Sequence, residues 1–210
     1  MSLRGQLPTM RYERKLRASG FKIVAGVDEV GRGPLAGPVC AAAVILPRRF
    51  RHDVLNDSKK LTENQREALY EELTAHRGVT WCVQLVEADE VDRINVLQAC
   101  HLAMRRAVLG LAALADAALI DGLPVPDFPV HQLAVVKGDS LSFSIAAASV
   151  IAKVTRDRLM RQWAVKYPQY GFDGHKGYGT PEHLAALRRH GPCPLHRWSF
   201  APVAQAELAL

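Results

Sequence analysis

The sequence has little of what would mark a chain as exported, membrane-borne or clipped by sulfur. Only four cysteines occur in 210 residues, Cys40, Cys82, Cys100 and Cys193. They lie far apart, form no C-x-x-C and lack zinc-ligand spacing, so they read as free thiols of a reducing compartment. No stretch of 18 uncharged apolar residues exists, and no membrane span is expected. The first residues, MSLRGQLPTMRYERKLRASG, carry charges but no apolar core of a secretory leader. A cytoplasmic location is the expectation. There is no internal repeat and no low-complexity linker. No G-x-S-x-G occurs either, which disfavours a serine hydrolase.

What is present is ordinary in bulk and specific in detail. The apolar fraction is 49% and the charged fraction 23%, typical of a globular domain, and 210 residues suffice for a sizeable core. Lys and Arg number 27 against 21 Asp and Glu, a net charge of +6. That excess is compatible with a polyanionic partner without establishing one.

The patterning predicts a mixed α/β chain. Strands are expected over Phe21–Asp28 and Pro38–Leu46, joined by a turn at Gly31–Pro34, as an antiparallel pair. Thr62 opens a helix to about Ala75, with Gln65 completing a capping box. A strand over Val79–Val86 comes next, then helices over Ala88–Ile94 and Asn95–Leu114. Short apolar strands fall at Ala117–Ile120 and Leu133–Val136, before a long helix over Ser144–Lys166 that Pro168 stops. A Gly-rich, aromatic and basic loop, YGFDGHKGYGT, leads to a last helix begun by Thr180-Pro181 and ended at Gly191. Residues 1–20 read as a poorly packed lead-in with a short basic helix over Arg11–Ala18.

Asp28, Glu29, Asp121 and Asp139 stand at the C-terminal ends of predicted strands. One such acid is commonly a turn former. Four of them point to a shared site, because open α/β sheets bind ligands beyond those strand ends. Four carboxylates in one crevice repel each other unless a cation neutralises them. All-oxygen ligation points to Mg2+ or Mn2+. Two such ions about 4 Å apart suit in-line phosphodiester hydrolysis. Neighbouring residues on a strand face opposite ways. Asp28 and Glu29 therefore both serve one site only if the strand ends or bulges there.

The motifs VAGVDEVGRGPLAGPV (24–39), NDSKKL (56–61), LIDG (119–122), VVKGDS (135–140), AAASVIAKVTRD (146–157), YPQYGFDGHKGYGT (167–180) and HRWSF (196–200) occur in this order. With them the sequence resembles the ribonuclease HII family from about residue 22 to 202. The resemblance implies a ribonuclease H-like fold: a mixed five-stranded sheet flanked by helices, with a C-terminal helical segment. It implies an extension over 1–20, a catalytic domain over 21–202 and a tail over 203–210. It implies cleavage of RNA in RNA–DNA hybrids and nicking 5′ of ribonucleotides embedded in duplex DNA, leaving 3′-hydroxyl and 5′-phosphate ends. Asp28, Glu29, Asp121 and Asp139 would hold Mg2+ or Mn2+. The backbone of Gly31-Arg32-Gly33 would read the ribose 2′-hydroxyl, and Tyr178 would stack on the next deoxyribose.

The residues agree with that chemistry. The 2′-hydroxyl separates RNA from DNA, and glycine lets backbone approach it. Lys59, Lys60, Lys153, Lys176, His175 and Arg197 are candidate phosphate contacts. Ser149 and Lys153, four apart, share one helix face, which favours a joint role. A monomer without a membrane partner is expected. Two other readings are weaker. Gly31-Arg32-Gly33-Pro34-Leu35-Ala36 matches G-x-G-x-x-A, but a dinucleotide-binding oxidoreductase needs that motif to open a helix, and Pro38 and Val44-Ile45-Leu46 oppose one. A non-catalytic nucleic-acid binder has no need of four clustered acids.

Overall fold

A computed structural model describes residues 7–111 and 115–207. The sheet is built around the most apolar stretch. β1 (Val24–Val30) sits at its centre, and β2 (Val39–Ile45) pairs with it antiparallel. β3 (Thr80–Val86) extends the sheet beyond β2. β4 (Ala117–Asp121) and β5 (His131–Val135) run parallel to β1 on the other side, giving the order β3-β2-β1-β4-β5. The C-terminal ends of β1, β4 and β5 therefore share one edge, where strand-end acids converge.

Helices cover both faces. α1 (Arg11–Ala18), α2 (Glu63–Ala75), α3 (Ala88–Ile94) and α4 (Val96–Leu109) precede the 24-residue α5 (Phe143–Lys166). α2 begins with the expected Thr62–Gln65 capping box. α4 and its neighbours pack on one face through Ala25, Val27, Ala41 and Ala43. α5 packs on the other through a run of fully buried alanines, Ala146, Ala147, Ala148 and Ala152. Its approach depends on Gly26, where an added Cβ would come within 2.1 Å of the Ser144 carbonyl carbon. The last elements, α6 (Phe172–His175), α7 (Pro181–His190) and α8 (Ala201–Glu207), form the C-terminal helical segment. A small core of Met160, Tyr170, Phe172 and Cys193 joins it to the far half of α5.

Three expectations change. The predicted helix over 95–114 ends at Leu109, where Gly110 packs against Cys82, and residues 112–114 lie outside the described residues. β1 starts three residues later than predicted and runs two further, through both acids. The lead-in, in its described part, is packed rather than loose. Leu16 is buried, and the fully buried Glu13 accepts hydrogen bonds from Ser142 Oγ (2.7 Å), Ser144 N (3.0 Å) and Ser144 Oγ (2.7 Å). A carboxylate at a helix N-terminus satisfies free N–H groups and meets the positive end of the dipole. α1 thus caps α5.

Candidate active site

Pairing between β1 and β2 steps one for one from Ala25↔Ile45 to Val30↔Cys40, so β1 neither bulges nor ends at the acids. Asp28 lies opposite Ala42, which packs with α5, and Glu29 lies opposite Ala41, which packs with α4. The two acids consequently face opposite sides of the sheet. Asp121, the last residue of β4, lies between these two sides. One oxygen from each of Asp28, Asp121 and Asp139 lies within 4.8 Å of the others. Asp121 also lines a groove of about 350 Å³ with Glu29 and Arg32 on the α4 side.

Local backbone sets this geometry. Lys137 adopts the left-handed region (φ 58°), which turns the chain after β5. The turn points the N–H groups of Gly138 and Asp139 at Asp121 Oδ1, at 2.7 and 3.3 Å. Asp28 Oδ1 accepts from the Glu29 N–H at 2.8 Å. Lys59 Nζ lies 3.7 Å from Asp139 Oδ2 on an exposed side chain, and Arg32 lies 3.9 Å from Glu29.

Burial pushes the Asp28 carboxyl well above its usual range, helped by the charges of Glu29, Asp121 and Asp139 and opposed by a hydrogen bond from Ser149. Burial and the Asp121 charge raise Glu29 and Asp139 as well. Burial would lower Lys59, but the surrounding carboxylates outweigh it and raise it. These are the electrostatics of a site built for a cation. The donors are all hard carboxylate oxygens, and a divalent ion of the Mg2+ or Mn2+ kind fits them.

The other predicted residues divide. Ser149 faces Asp28, and its hydroxyl oxygen lies 2.9 Å from Ser58 Oγ. Lys153 is mostly buried and paired with Asp157 at 2.7 Å. Lys60 reaches Ser140 Oγ at 2.9 Å. His175 binds the Tyr170 carbonyl and stacks on His183, and the Lys176 ammonium folds onto the Asp173 carbonyl. Tyr178 is exposed, its ring 3.7 Å from where a Cβ on Gly33 would stand.

Arg197 is the clear correction. It is fully buried, and its guanidinium donates to the carbonyls of Gly31 (2.6 Å), Arg32 (3.1 Å) and Gly37 (2.8 and 3.0 Å), so it presents no surface to a phosphate. Arg156, unremarked in the sequence, is its counterpart, donating to Ala36, Pro38 and Lys176 carbonyls at 2.9–3.0 Å. The signal was there: residues 31–38, GRGPLAGP, lie outside the named strands, pair strand-like only through the isolated Ala36–His196 bridge and contain two prolines that donate nothing, so carbonyls there need outside donors. That segment leads into β2 and opens no helix, which removes the dinucleotide-binding reading.

A carboxylate metal site at the edge of a sheet ordered 3-2-1-4-5 defines a nuclease of the ribonuclease H type. The ribonuclease HII family model matches residues 25–203. Ribonuclease HII of Delftia acidovorans is 59% identical over 184 residues, covering 87% of this chain and 77% of that protein. The one from Ruminiclostridium cellulolyticum is 48% identical over 191 residues, covering 91% and 74%. Among solved structures, ribonuclease H2 from Pyrococcus horikoshii superposes with a TM-score of 0.76 at 28% identity, covering 89% of this chain and 98% of that one. Bst-RNase HIII, solved with Mn2+, shares the fold at 20% identity with a TM-score of 0.69. The chain belongs to the ribonuclease HII family. It is an endoribonuclease of RNA–DNA hybrids that depends on a divalent metal.

Proposed function

We propose that this enzyme also nicks duplex DNA on the 5′ side of single embedded ribonucleotides, leaving 3′-hydroxyl and 5′-phosphate ends. The observation that carries this reading is the open face of Gly33, three residues past the strand that carries the acids. Gly31 to Gly33 come directly after the strand that carries Asp28 and Glu29. Among the described residues, the only group near the Gly33 Cβ position is the Tyr178 ring. A ribose can approach that backbone closely, and a specific 2′-hydroxyl contact discriminates more strongly than an apolar pocket. Tyr178 walls the same space and selects the sugar on the 3′ side of the ribose.

Asp28, Asp121 and Asp139 would hold the metal, and Glu29, on the other face of β1, would complete the set. Bound Mg2+ or Mn2+ supplies an activated water and charge stabilisation at the scissile phosphate. Ser149 orients the Asp28 carboxylate. Lys59, exposed and already drawn to the acids, meets a backbone phosphate. Lys153 steadies Asp157 on the next turn of α5 and contributes charge at longer range. The catalytic unit spans 21–202, works as a monomer and acts in the cytoplasm.

The test is end-labelled duplex DNA carrying one ribonucleotide, incubated with Mg2+ or Mn2+. One nick 5′ of the ribonucleotide is expected, with all-DNA duplex uncut. No nicking under either metal overturns the reading. Tyr178→Ala should slow the single-ribonucleotide substrate by roughly tenfold, given about 1–3 kcal/mol per stacked group, and slow a continuous hybrid less. Equal slowing of both would remove Tyr178 from junction selection.

A further inference from the structure

A cavity larger than the groove at the acids lies elsewhere. β2 runs antiparallel to β1, so the segment after it emerges at the opposite end of the sheet. That end, at Val24, is four residues from Asp28, roughly 13 Å at 3.3 Å per residue. There a groove of about 650 Å³ is bounded by residues 7–10, Arg14, residues 48–53 and Phe143. This size falls in the range of about 300–1,000 Å³ usual for ligand clefts. Its floor is apolar: Met10 and Phe143 are buried and Phe50 is half-buried. Its rim is cationic, with Arg14, Arg48, Arg49 and Arg51 all exposed. An adjoining cavity of about 500 Å³ shares Arg48 and adds Arg17 and Lys22.

These six cations lack what the protein's other arginine clusters have. Arg158 and Arg161 are matched by Glu63, Glu67 and Glu71. Among the described residues, none of the six makes an ion pair within 4.0 Å. Arg17 Nε is buried without a hydrogen-bond partner. The acids nearby do not balance them. Asp53 lines the groove, Glu13 is committed to the start of α5, Asp116 beside Lys22 accepts from the Lys22 and Ile23 N–H groups at 2.7 and 2.9 Å, and Glu72 pairs with His52. A concave, apolar-floored site ringed by unpaired cations suits an anionic occupant.

Three occupants can be set aside. A duplex presents phosphates and sugars on its outside and has no apolar side chain to fill the floor of the groove. A single strand needs free aromatic faces, whereas Phe50 lies against His52 and Phe143. The chain's own first six residues, MSLRGQ, bring Arg4 and no acid.

We propose that this groove docks a short acidic segment of a partner protein, one whose carboxylates flank an aromatic or branched aliphatic side chain. The apolar side chain fills the floor and the carboxylates meet the arginine rim, bidentate where geometry allows. The proposal is independent of the reaction at the acids.

The experiment titrates the full chain into a fluorescein-labelled hexapeptide of sequence DFDDFD and monitors anisotropy. A DSDDSD peptide of equal charge and a twelve-residue oligothymidylate are parallel probes. The variants are Arg48→Glu/Arg49→Glu and, as a control for bulk charge, Arg188→Glu/Arg189→Glu on exposed positions of α7. The first double variant should bind DFDDFD at least about tenfold more weakly. The control variant should bind it within about twofold of the native chain, and DSDDSD should bind several-fold more weakly. Hybrid cleavage should be unchanged in both variants, which also shows that they fold. Equal weakening by both variants, or equal affinity for the two peptides, would reduce the site to general charge attraction and overturn the proposal. Oligothymidylate binding that depends on Arg48 and Arg49 while the peptide fails to bind would overturn it in favour of a nucleic-acid surface.

Discussion

Two buried clusters of opposite charge lie within a few residues of each other. Asp28, Asp121 and Asp139 gather carboxylates, and Arg156 and Arg197 gather guanidiniums. The guanidiniums are fully buried, yet every one of their nitrogens donates to a carbonyl: between them they bond those of Gly31, Arg32, Ala36, Gly37, Pro38 and Lys176. The carboxylates are under-satisfied: a few backbone N–H groups, one serine and one exposed lysine face three mutually repelling acids. Fixed backbone dipoles can neutralise a buried charge as well as a counter-charge does. A cluster treated that way is architecture, and one left repelling itself is a binding site.

The comparison breaks most easily at the acids. Asp28→Asn with Asp121→Asn should abolish cleavage, a loss beyond the roughly 10–100-fold that removing a ligand's outer partner costs. The same change should make metal-free protein more stable at pH 7. The sign comes from Asp28, whose folded pKa is raised. Stability is full below the unfolded value and is lost as pH rises through the folded one. Thermal melts in EDTA measure this, and a melting point lowered by the double variant would show that the acids are structural. Next come the arginines. Arg197→Met leaves three carbonyls buried without donors and should cost about 3 kcal/mol or more in urea unfolding. Arg197→Lys should recover little, since one ammonium cannot span the fork. A loss below about 1 kcal/mol would mean that the loop over residues 31–38 is held by something else.

Much of this was legible in the sequence. The five strands, the capped helices and the acids at three strand ends all come from local rules of periodicity and turn chemistry. The illegible part depends on which way a side chain faces after packing. Arg197 reads as a phosphate contact because an arginine carries the same charge whether it points to water or into a loop. Glu13 sits in RYERKLRA, so its basic neighbours hide that it turns inward to cap a helix some 130 positions away. Glu29 could join Asp28 on one side only if the strand ended or bulged there. The unbroken register instead sends it to the other face, with Asp121 shared between the two.

The smallest effect is nil at neutral pH and tests whether dipole-satisfied burial extends to the segment carrying Tyr178. His183 and His196 are buried with their Nε2 atoms 3.0 Å apart. The Cys193 N–H donates to His196 Nδ1 at 2.9 Å, so the His196 proton sits on Nε2 and is donated to His183. His183 then carries its proton on Nδ1 and donates it to the Tyr178 carbonyl at 2.9 Å. The chain is complete with both rings neutral, and one more proton would set two N–H groups against each other. Burial pushes both rings down to about 4, and the proximity of His175 adds to this. Between that value and the unfolded value of about 6.5, the unfolded chain binds more protons, so stability falls as pH drops from 6.5 toward 4. The acid cluster works with the opposite sign, so the measurement belongs in the Asp28→Asn/Asp121→Asn background. There the unfolding free energy should fall on acidification by about 1.4 kcal/mol per pH unit for each proton taken up on unfolding. His196→Asn should flatten that slope, and a slope unaltered by the substitution would mean that the imidazole pair does not govern how the segment under Tyr178 responds to acid.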